Sequence, residues 1–253
     1  MNNTQIIIEG RNAVNEALRS SRGIDKILIA KAADGRTDPV IKKLTDLAKQ
    51  KNVYVRYESR ETLDQYSQTG THQGVIAFIE EYEYADVSDI LAAARAKNEP
   101  PFIILLDGIE DPHNLGAIIR TANLAGAHGV IIPKKRAVGL NATVARTSAG
   151  AINYTPVAAV SNIAQTIEKL KNDGMWFVCA DMGGTAMYDL DLKGPIGLVI
   201  GNEGSGVSRL VREKCDFIAS IPMKGDIDSL NASVACGVLA FEIVRQRRAE
   251  CFF

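Results

Sequence analysis

Residues 101–133 read "PFIILLDGIEDPHNLGAIIRTANLAGAHGVIIP". "FIILLD" (Phe102–Asp107) and "GVIIP" (Gly129–Pro133) are apolar almost without a break, the pattern of strands covered on both faces. "NLGAIIRTANLAG" lies between them and is long enough for a crossover helix, with Gly126 where a helix C-cap is expected. Strand, crossover helix and strand make a parallel unit. The predicted fold class is therefore α/β, with a mainly parallel sheet layered by helices.

The alternation continues toward the C-terminus. "YTPVAA", "MWFVCAD", "IGLVIG" and "FIASIPM" are expected as strands, and "NATVARTSAG", "NIAQTIEKLKNDG" and "GVSRLVREK" as helices. A last helix places Leu230, Val234, Val238 and Phe241 along one apolar stripe before turning basic in "RQRR". Upstream, "QIIIEG", "DKILIA", "VYVRY" and "GVIAFIE" predict short strands, separated by helices at "NAVNEALRS", "DPVIKKLTDLAKQ" and "ETLDQYS". The resulting organisation is a small α/β domain over residues 1–80, a linker with one short helix over 81–100, and a larger α/β domain over 101–253. Pro100 and Pro101 close the linker before the next strand.

With 253 residues, 46% apolar and 23% charged, the composition is that of an ordinary globular protein. A net charge of −1 neither announces nor excludes a nucleic-acid partner, because local patches matter more than the total. Cys179, Cys215, Cys236 and Cys251 form no C-x-x-C pair, and only His72, His113 and His128 accompany them, which argues against a zinc site and a disulfide framework. The start "MNNTQIIIEGRN" lacks a basic segment followed by an apolar one, and no run approaches membrane-spanning length. A cytoplasmic, reduced protein without a membrane partner is the expectation.

Open parallel sheets bind ligands beyond the C-terminal ends of their strands. Three polar, glycine-bearing junctions fall there: "DGIEDPHNLGAIIR", "GNEGSGVS" and "KGDIDSLNAS". The middle loop, with Gly201, Gly204 and Gly206, matches neither the dinucleotide fingerprint nor the P-loop. It is either a tight turn or a place where a flat ligand lies against backbone. Glu203 is either a solvated loop acid or a site carboxylate. Asn114 is either a helix cap or a site amide, and Arg120 either a snorkelling arginine or a catalytic one. Ser229 and Asn231 both suit an N-cap, yet one cap suffices for one helix.

Taken together these segments resemble the three motifs of the SpoU (TrmH-like) branch of the SPOUT RNA methyltransferases. "NLGAIIRTANLAGAHGVII" is similar to the first, with Asn114, Gly116 and Arg120; "LVIGNEGSGVS" to the second, with Gly201, Glu203 and Gly206; "IPMKGDIDSLNASVACGVLAFE" to the third, with Ser229, Leu230 and Asn231. The first domain, with "GRNAVNEAL" and "THQGVIAF", is similar to an L30e-like substrate-binding domain, and the whole is most like the 23S rRNA (guanosine-2'-O-)-methyltransferase subfamily. The resemblance implies a trefoil knot in the SPOUT domain, S-adenosylmethionine as cofactor, an obligate homodimer and no metal. It implies cofactor contacts from Gly201, Ile221, Met223 and Leu230, and catalytic roles for Asn114, Arg120, Glu203, Ser229 and Asn231.

The implied reaction moves a methyl group to a ribose 2'-hydroxyl of a structured RNA, with 23S rRNA expected as substrate. A tRNA 2'-O-methyltransferase, an rRNA-modifying resistance enzyme and a silent RNA-binding or ribosome-assembly factor share the scaffold. Arg120 is read as stabilising the developing alkoxide, since a guanidinium stays protonated. Residues 1–79 hold 12 Lys+Arg against 9 Asp+Glu. Lys49, Lys51, Arg56 and Arg60, and separately Lys134, Lys135 and Arg136, are either solvated faces or RNA contacts.

Overall fold

The computed structural model describes residues 6–20, 24–31, 38–79, 82–226 and 229–249; Cys251, Gln5 and the expected boundary at residues 80–81 lie outside them. Two compact units form, one from residues 1–83 with 140–154, the other from residues 84–139 with 155–253.

The first unit runs β1 (Ile6–Glu9), α1 (Arg11–Arg19), β2 (Ile24–Ala30), α2 (Pro39–Gln50), β3 (Tyr54–Glu58), α3 (Arg60–Tyr66) and β4 (Val75–Ile79). Its sheet has the order β1-β4-β2-β3, with β4 antiparallel to β1 and β2, and β3 parallel to β2. Every residue of β4 is buried, as a central strand requires. On one face Leu63 of α3 packs on Leu28, Ile76 and Phe78. The alternate residues Ile27, Ile29 and Ala77 are buried on the other, where α1 and α2 lie. Asp38 starts α2 by accepting a hydrogen bond from Val40 N at 2.8 Å, with Pro39 in the first helical position. Glu9, buried at the end of β1, accepts from Ser67 Oγ, from Gln68 N at 2.8 Å and from Thr69 Oγ1 at 3.0 Å, and so holds the turn after α3.

The helix expected at "NATVARTSAG" belongs to this unit. It is α6 (Ala142–Thr147), followed by a 3-10 turn at Ala151–Asn153. α6 packs against β1, and Tyr154 Oη donates to Glu16 Oε2 at 3.1 Å. Gly150 permits the fit, because a Cβ there would lie 2.3 Å from Glu16 Cβ.

The second unit contains α4 (Val87–Ala96), β5 (Phe102–Asp107), α5 (Pro112–Leu124), β6 (Gly129–Pro133), β7 (Val157–Val160), α7 (Ile163–Asn172), β8 (Trp176–Ala186), β9 (Ile196–Gly201), α8 (Arg209–Lys214), β10 (Phe217–Ser220) and α9 (Ala232–Ala249). Its six strands follow the order β10-β8-β9-β5-β6-β7, and every pairing is parallel. Ile103, Leu105, Ile131, Phe177 and Val199 are buried in its core together with Ile167 and Leu170 of α7. From Tyr84 on, the segment expected as a linker belongs to this unit, and its helix α4 packs into the core. Ile90 of α4 is fully buried against Gly129, where a Cβ would come within 2.6 Å of Ile90 Cδ1.

The start of β5 is pinned by a reciprocal pair. His128 N donates to Phe102 O at 2.7 Å, Phe102 N donates to His128 Nδ1 at 3.0 Å, and His128 Nε2 lies 3.1 Å from Glu99 Oε2. Burial holds the imidazole below its ordinary pKa, keeping it neutral with Nδ1 as acceptor.

Two strand ends differ from expectation. β10 stops at Ser220 and does not reach Met223, because Pro222 has no N–H to give a ladder. β8 runs past "MWFVCAD" to Ala186. Gly184 makes this possible, since a Cβ there would lie 2.3 Å from Ile218 O, beside the register shift between Ile218 and Ala219. The stripe Leu230, Val234, Val238 and Phe241 is not the buried face of α9. Cys236, Leu239, Ala240 and Ile243 take that place, and Leu230, Val234 and Phe241 are 38%, 49% and 48% exposed.

Candidate active site

In the second unit, three loops meet beyond the C-terminal ends of β5, β9 and β10. The first passes from β5 into α5. Asp111 caps α5 by accepting from His113 N at 2.8 Å, so Asn114 is not the cap; it sits inside the first turn, buried. Its side chain is thereby free for a different task.

The second loop leaves β9 at Gly201 and folds back at once. Asn202 and Gly206 exchange backbone hydrogen bonds at 3.0 and 2.8 Å. Asn202 Oδ1 accepts from Gly204 N at 2.8 Å, and Asn202 Nδ2 donates to Gly108 O at 2.8 Å. Asn202 therefore both shapes this loop and ties it to the one after β5. None of the three motif patterns singles it out, although an Asn two residues before a Gly is an Asx-turn signal. Gly201 has no room for a side chain: a Cβ would lie 2.2 Å from Gly206 C and 2.3 Å from Val207 N. Asp107 Oδ2 accepts from Ser208 N at 2.8 Å and fixes the far end of the loop.

The third loop leads into α9. Asn231 caps it, its Oδ1 accepting from Ser233 N at 3.0 Å, Ser233 Oγ at 2.6 Å and Val234 N at 3.3 Å. Ser229 is thus left over from capping.

Glu203 joins the three loops. Its Oε1 accepts from Asn114 Nδ2 at 2.9 Å, from Asn231 Nδ2, and from Ala232 N at 3.4 Å, while Asn231 Nδ2 also donates to Asn114 Oδ1 at 3.0 Å. All three groups that Oε1 meets are donors, and through them the carboxylate holds the loops in register.

Beside this network lies a cavity of about 540 Å³, in the range of small-molecule sites. Gly201, Glu203, Ile221, Met223, Ser229 and Leu230 all line it. Asp181, Met182 and Gly183, from the unexpected extension of β8, line it as well. Its described lining carries two carboxylates, Asp181 and Glu203, and no lysine or arginine. A lining without lysine or arginine is wrong for a polyphosphate, and its glycine backbone and apolar side chains leave room for a nucleoside-sized ligand. Arg212 holds Asp181 at 2.8 Å at the edge of the cavity. Cys236, on α9 below, is a packing group: burial pushes its thiol up to about 12.

Arg120 is the one expected site residue that this arrangement does not gather. It lies on α5 six residues beyond Asn114, exposed and outside the cavity lining, with no hydrogen bond or ion pair among the described residues.

Comparison with known proteins gives the family and the fold. The profile of the SpoU rRNA Methylase family matches residues 101–241, and that of RNA 2'-O ribose methyltransferase substrate binding matches residues 7–85. A Bacillus subtilis protein whose name assigns it to the TrmH family of tRNA/rRNA methyltransferases is 49% identical over 240 residues, 94% of each chain. The SpoU methyltransferase AviRb of Streptomyces viridochromogenes, solved with AdoMet, is similar at TM-score 0.81 and 25% identity, over 97% of this chain and 91% of its own. A TrmH/SpoU tRNA modifying enzyme of A. aeolicus aligns at TM-score 0.55 and 28% identity, over 65% of this chain and 85% of its own.

Proposed function

The chain belongs to the SpoU rRNA methylase family, and from that premise we propose that it methylates a ribose 2'-hydroxyl in ribosomal RNA, a guanosine of 23S rRNA being the expected target. The enzyme is an S-adenosylmethionine-dependent RNA 2'-O-ribose methyltransferase. When bound, the cofactor supplies an electrophilic methyl group on a sulfonium.

The remaining work falls to the chain's own side chains. Gly201, Ile221, Met223 and Leu230 are the residues proposed to hold the cofactor, and all four border one cavity. Asn114 and Asn231, locked by Glu203, present amides in fixed orientation to the incoming ribose, and Ser229 adds a hydroxyl uncommitted to capping. Arg120 stabilises the alkoxide that develops as the 2'-hydroxyl passes its proton to the adjacent phosphate and from there to water, and it binds that phosphate. Being always protonated, it is an electrostatic group and not the base.

The observation that carries the reading is the Glu203 network, which draws the three motif loops to the rim of a nucleoside-sized cavity. A silent assembly factor would have no use for this convergence of amides.

The working form is a homodimer whose site draws on both protomers. Two features support it: the exposed apolar stripe of α9, and the exposed position of Arg120 on α5, the helix packed against α9. A trefoil knot in the C-terminal domain belongs to the same proposal.

Ribosomal RNA is favoured over tRNA because the chain carries a substrate-binding unit ahead of its catalytic one, whereas the tRNA modifying enzyme of A. aeolicus aligns with only 65% of the chain. Mapping 2'-O-methyl groups in ribosomal and transfer RNA from cells lacking this gene separates the two. Loss of one rRNA methyl is the expected outcome. Loss of a tRNA methyl with intact rRNA contradicts the substrate assignment.

A further inference from the structure

The sheet of the first unit is unevenly covered. α1 and α2, of 9 and 12 residues, pack on one face, while α3, of only seven, covers part of the other. Seven residues of helix span about 10 Å, roughly the width of two strand spacings. Among the described residues of this unit, no helix covers the outer strand β3 and its neighbouring row on that face.

That row is chemically distinctive. Tyr54 of β3, Lys26 of β2 and Phe78 of β4 stand in register across the sheet, so their side chains share one face. Lys26 Nζ lies 4.4 Å from the centroid of the Phe78 ring, and Tyr66 of α3 meets the same ring edge-on at a centroid distance of 5.3 Å. Tyr54 is 63% exposed and Tyr66 43%. Arg56, next outward on the same face of β3, pairs with Glu58 at 2.5 Å and keeps 63% of its side chain exposed. Arg60, exposed at the start of α3, belongs to the same basic run as Tyr54 and Arg56. Exposed rings on an edge strand do nothing for the core, since Leu28, Leu63, Ile76 and Phe78 already fill it.

We propose that this open face is a stacking platform for unpaired nucleotides of the substrate RNA, with bases lying on Tyr54 and Tyr66 and phosphates drawn to Lys26 and Arg56. The inference rests on the reading that the first unit selects the RNA, and adds which part of the RNA it grips. Base–aromatic stacking is tolerant of sequence, and interleaved cations serve the phosphates between stacked bases. Across two strand spacings Tyr54 stands about 10 Å from Phe78, so bases on Tyr54 and Tyr66 would not be immediate neighbours. The platform therefore fits a splayed loop or bulge and has nothing to offer a continuous duplex, whose base faces are already stacked.

The test uses the full-length protein and two fluorescein-labelled RNAs: a hairpin with an unpaired loop, and a blunt duplex of equal length. Tyr54→Ala and Tyr66→Ala should each weaken hairpin binding about ten-fold and leave duplex binding unchanged. Tyr54→Phe should bind like the wild type, because the ring stacks without its hydroxyl. Arg56→Ala should lower the slope of log affinity against log salt by about 0.7. Melting temperature should not move in Tyr54→Ala, Tyr54→Phe or Arg56→Ala, and should fall by only a few degrees in Tyr66→Ala, which loses its edge-on contact with Phe78; calorimetric affinity for S-adenosylmethionine should not move in any of them, which separates a lost contact from a lost fold. Undiminished hairpin affinity in Tyr54→Ala overturns the platform, as does equal loss on hairpin and duplex, or a loss in Tyr54→Phe matching that in Tyr54→Ala. If these variants are silent while wild-type protein still methylates RNA, only the platform fails. If wild-type protein methylates no RNA, the functional reading fails instead.

Discussion

A single methyl group added at Gly201 should weaken cofactor binding by about thirty-fold or more. The Cβ of Gly201→Ala would lie 2.2 Å from Gly206 C, 2.3 Å from Val207 N and 2.4 Å from Gly206 O. These are backbone atoms, and no side-chain rotation relieves them. Either the loop moves outward by more than an ångström or β9 shifts within the sheet. Overpacking of this kind costs about 1–3 kcal/mol. Moving the loop also breaks the two backbone bonds between Asn202 and Gly206, each worth about 0.5–1.5 kcal/mol. The sum is about 2–6 kcal/mol against the closed loop. Even the lower end corresponds to about a thirty-fold loss of affinity for any ligand that needs that conformation. Two neighbours serve as internal standards. Gly204→Ala places its Cβ 3.5 Å from Asn202 Oδ1, an ordinary contact, and should bind cofactor within a factor of about two. Gly206→Ala meets no atom but must hold φ at +67°, costing about 1 kcal/mol and an intermediate loss of about five-fold. Titration calorimetry with S-adenosylmethionine on the three variants, alongside thermal melts, reads the series. Equal affinities for Gly201→Ala and Gly204→Ala would refute the reasoning, since the two differ chiefly in what the new methyl meets.

Other perturbations follow from the same geometry. Arg120→Ala should leave melting temperature and cofactor affinity unchanged, the side chain being exposed and unpaired among the described residues, and should lower kcat by about 10²–10³; wild-type single-turnover rates would remove Arg120 from the mechanism. Glu203→Ala unties Asn114 and Asn231 and should lower kcat by about 10–100-fold, with partial recovery in Glu203→Gln, which keeps an acceptor oxygen. His128 is held neutral by burial, with a folded pKa below its unfolded value near ~6.5, so the unfolded chain takes up the proton first as pH falls. Its stabilisation is fully present above ~6.5 and is lost as pH drops toward the lower folded value, which urea melts between about pH 5 and 8 should show as a falling midpoint on the acid side.

Much of the architecture was legible because burial on both faces leaves a plain signature. Phe102–Asp107 and Gly129–Pro133 are strands with the bounds their apolar runs suggest. The strands and helices of residues 6–79 likewise follow their periodicity and caps, as at Asp38 and Pro39. Less legible were features fixed by distant partners. Nothing local in "VCADMGGTA" tells that β8 continues to Ala186, because Gly184 reads as a turn until Ile218 is beside it. The helix Ala142–Thr147 looks like any other in the second half, and its grouping with residues 1–83 depends on β1, far away in sequence. The exposed stripe of α9 misleads because that helix is apolar on two faces, and periodicity alone does not say which one the sheet takes. At the site, the polar residues stand out in the sequence, but their division of labour does not. Asp111, not Asn114, is the cap of α5, and Asn231, not Ser229, is the cap of α9. Asn202, the residue that shapes the loop after β9, was hidden as an ordinary turn asparagine.

Where the methyl group goes is the decisive observation. Purified protein incubated with tritium-labelled S-adenosylmethionine and unmodified ribosomal RNA should place label in one dinucleotide that resists alkaline hydrolysis, since a methylated 2'-oxygen no longer attacks its neighbouring phosphate. Label recovered on a base, or no transfer by a protein that binds the cofactor, would contradict the 2'-O-ribose assignment.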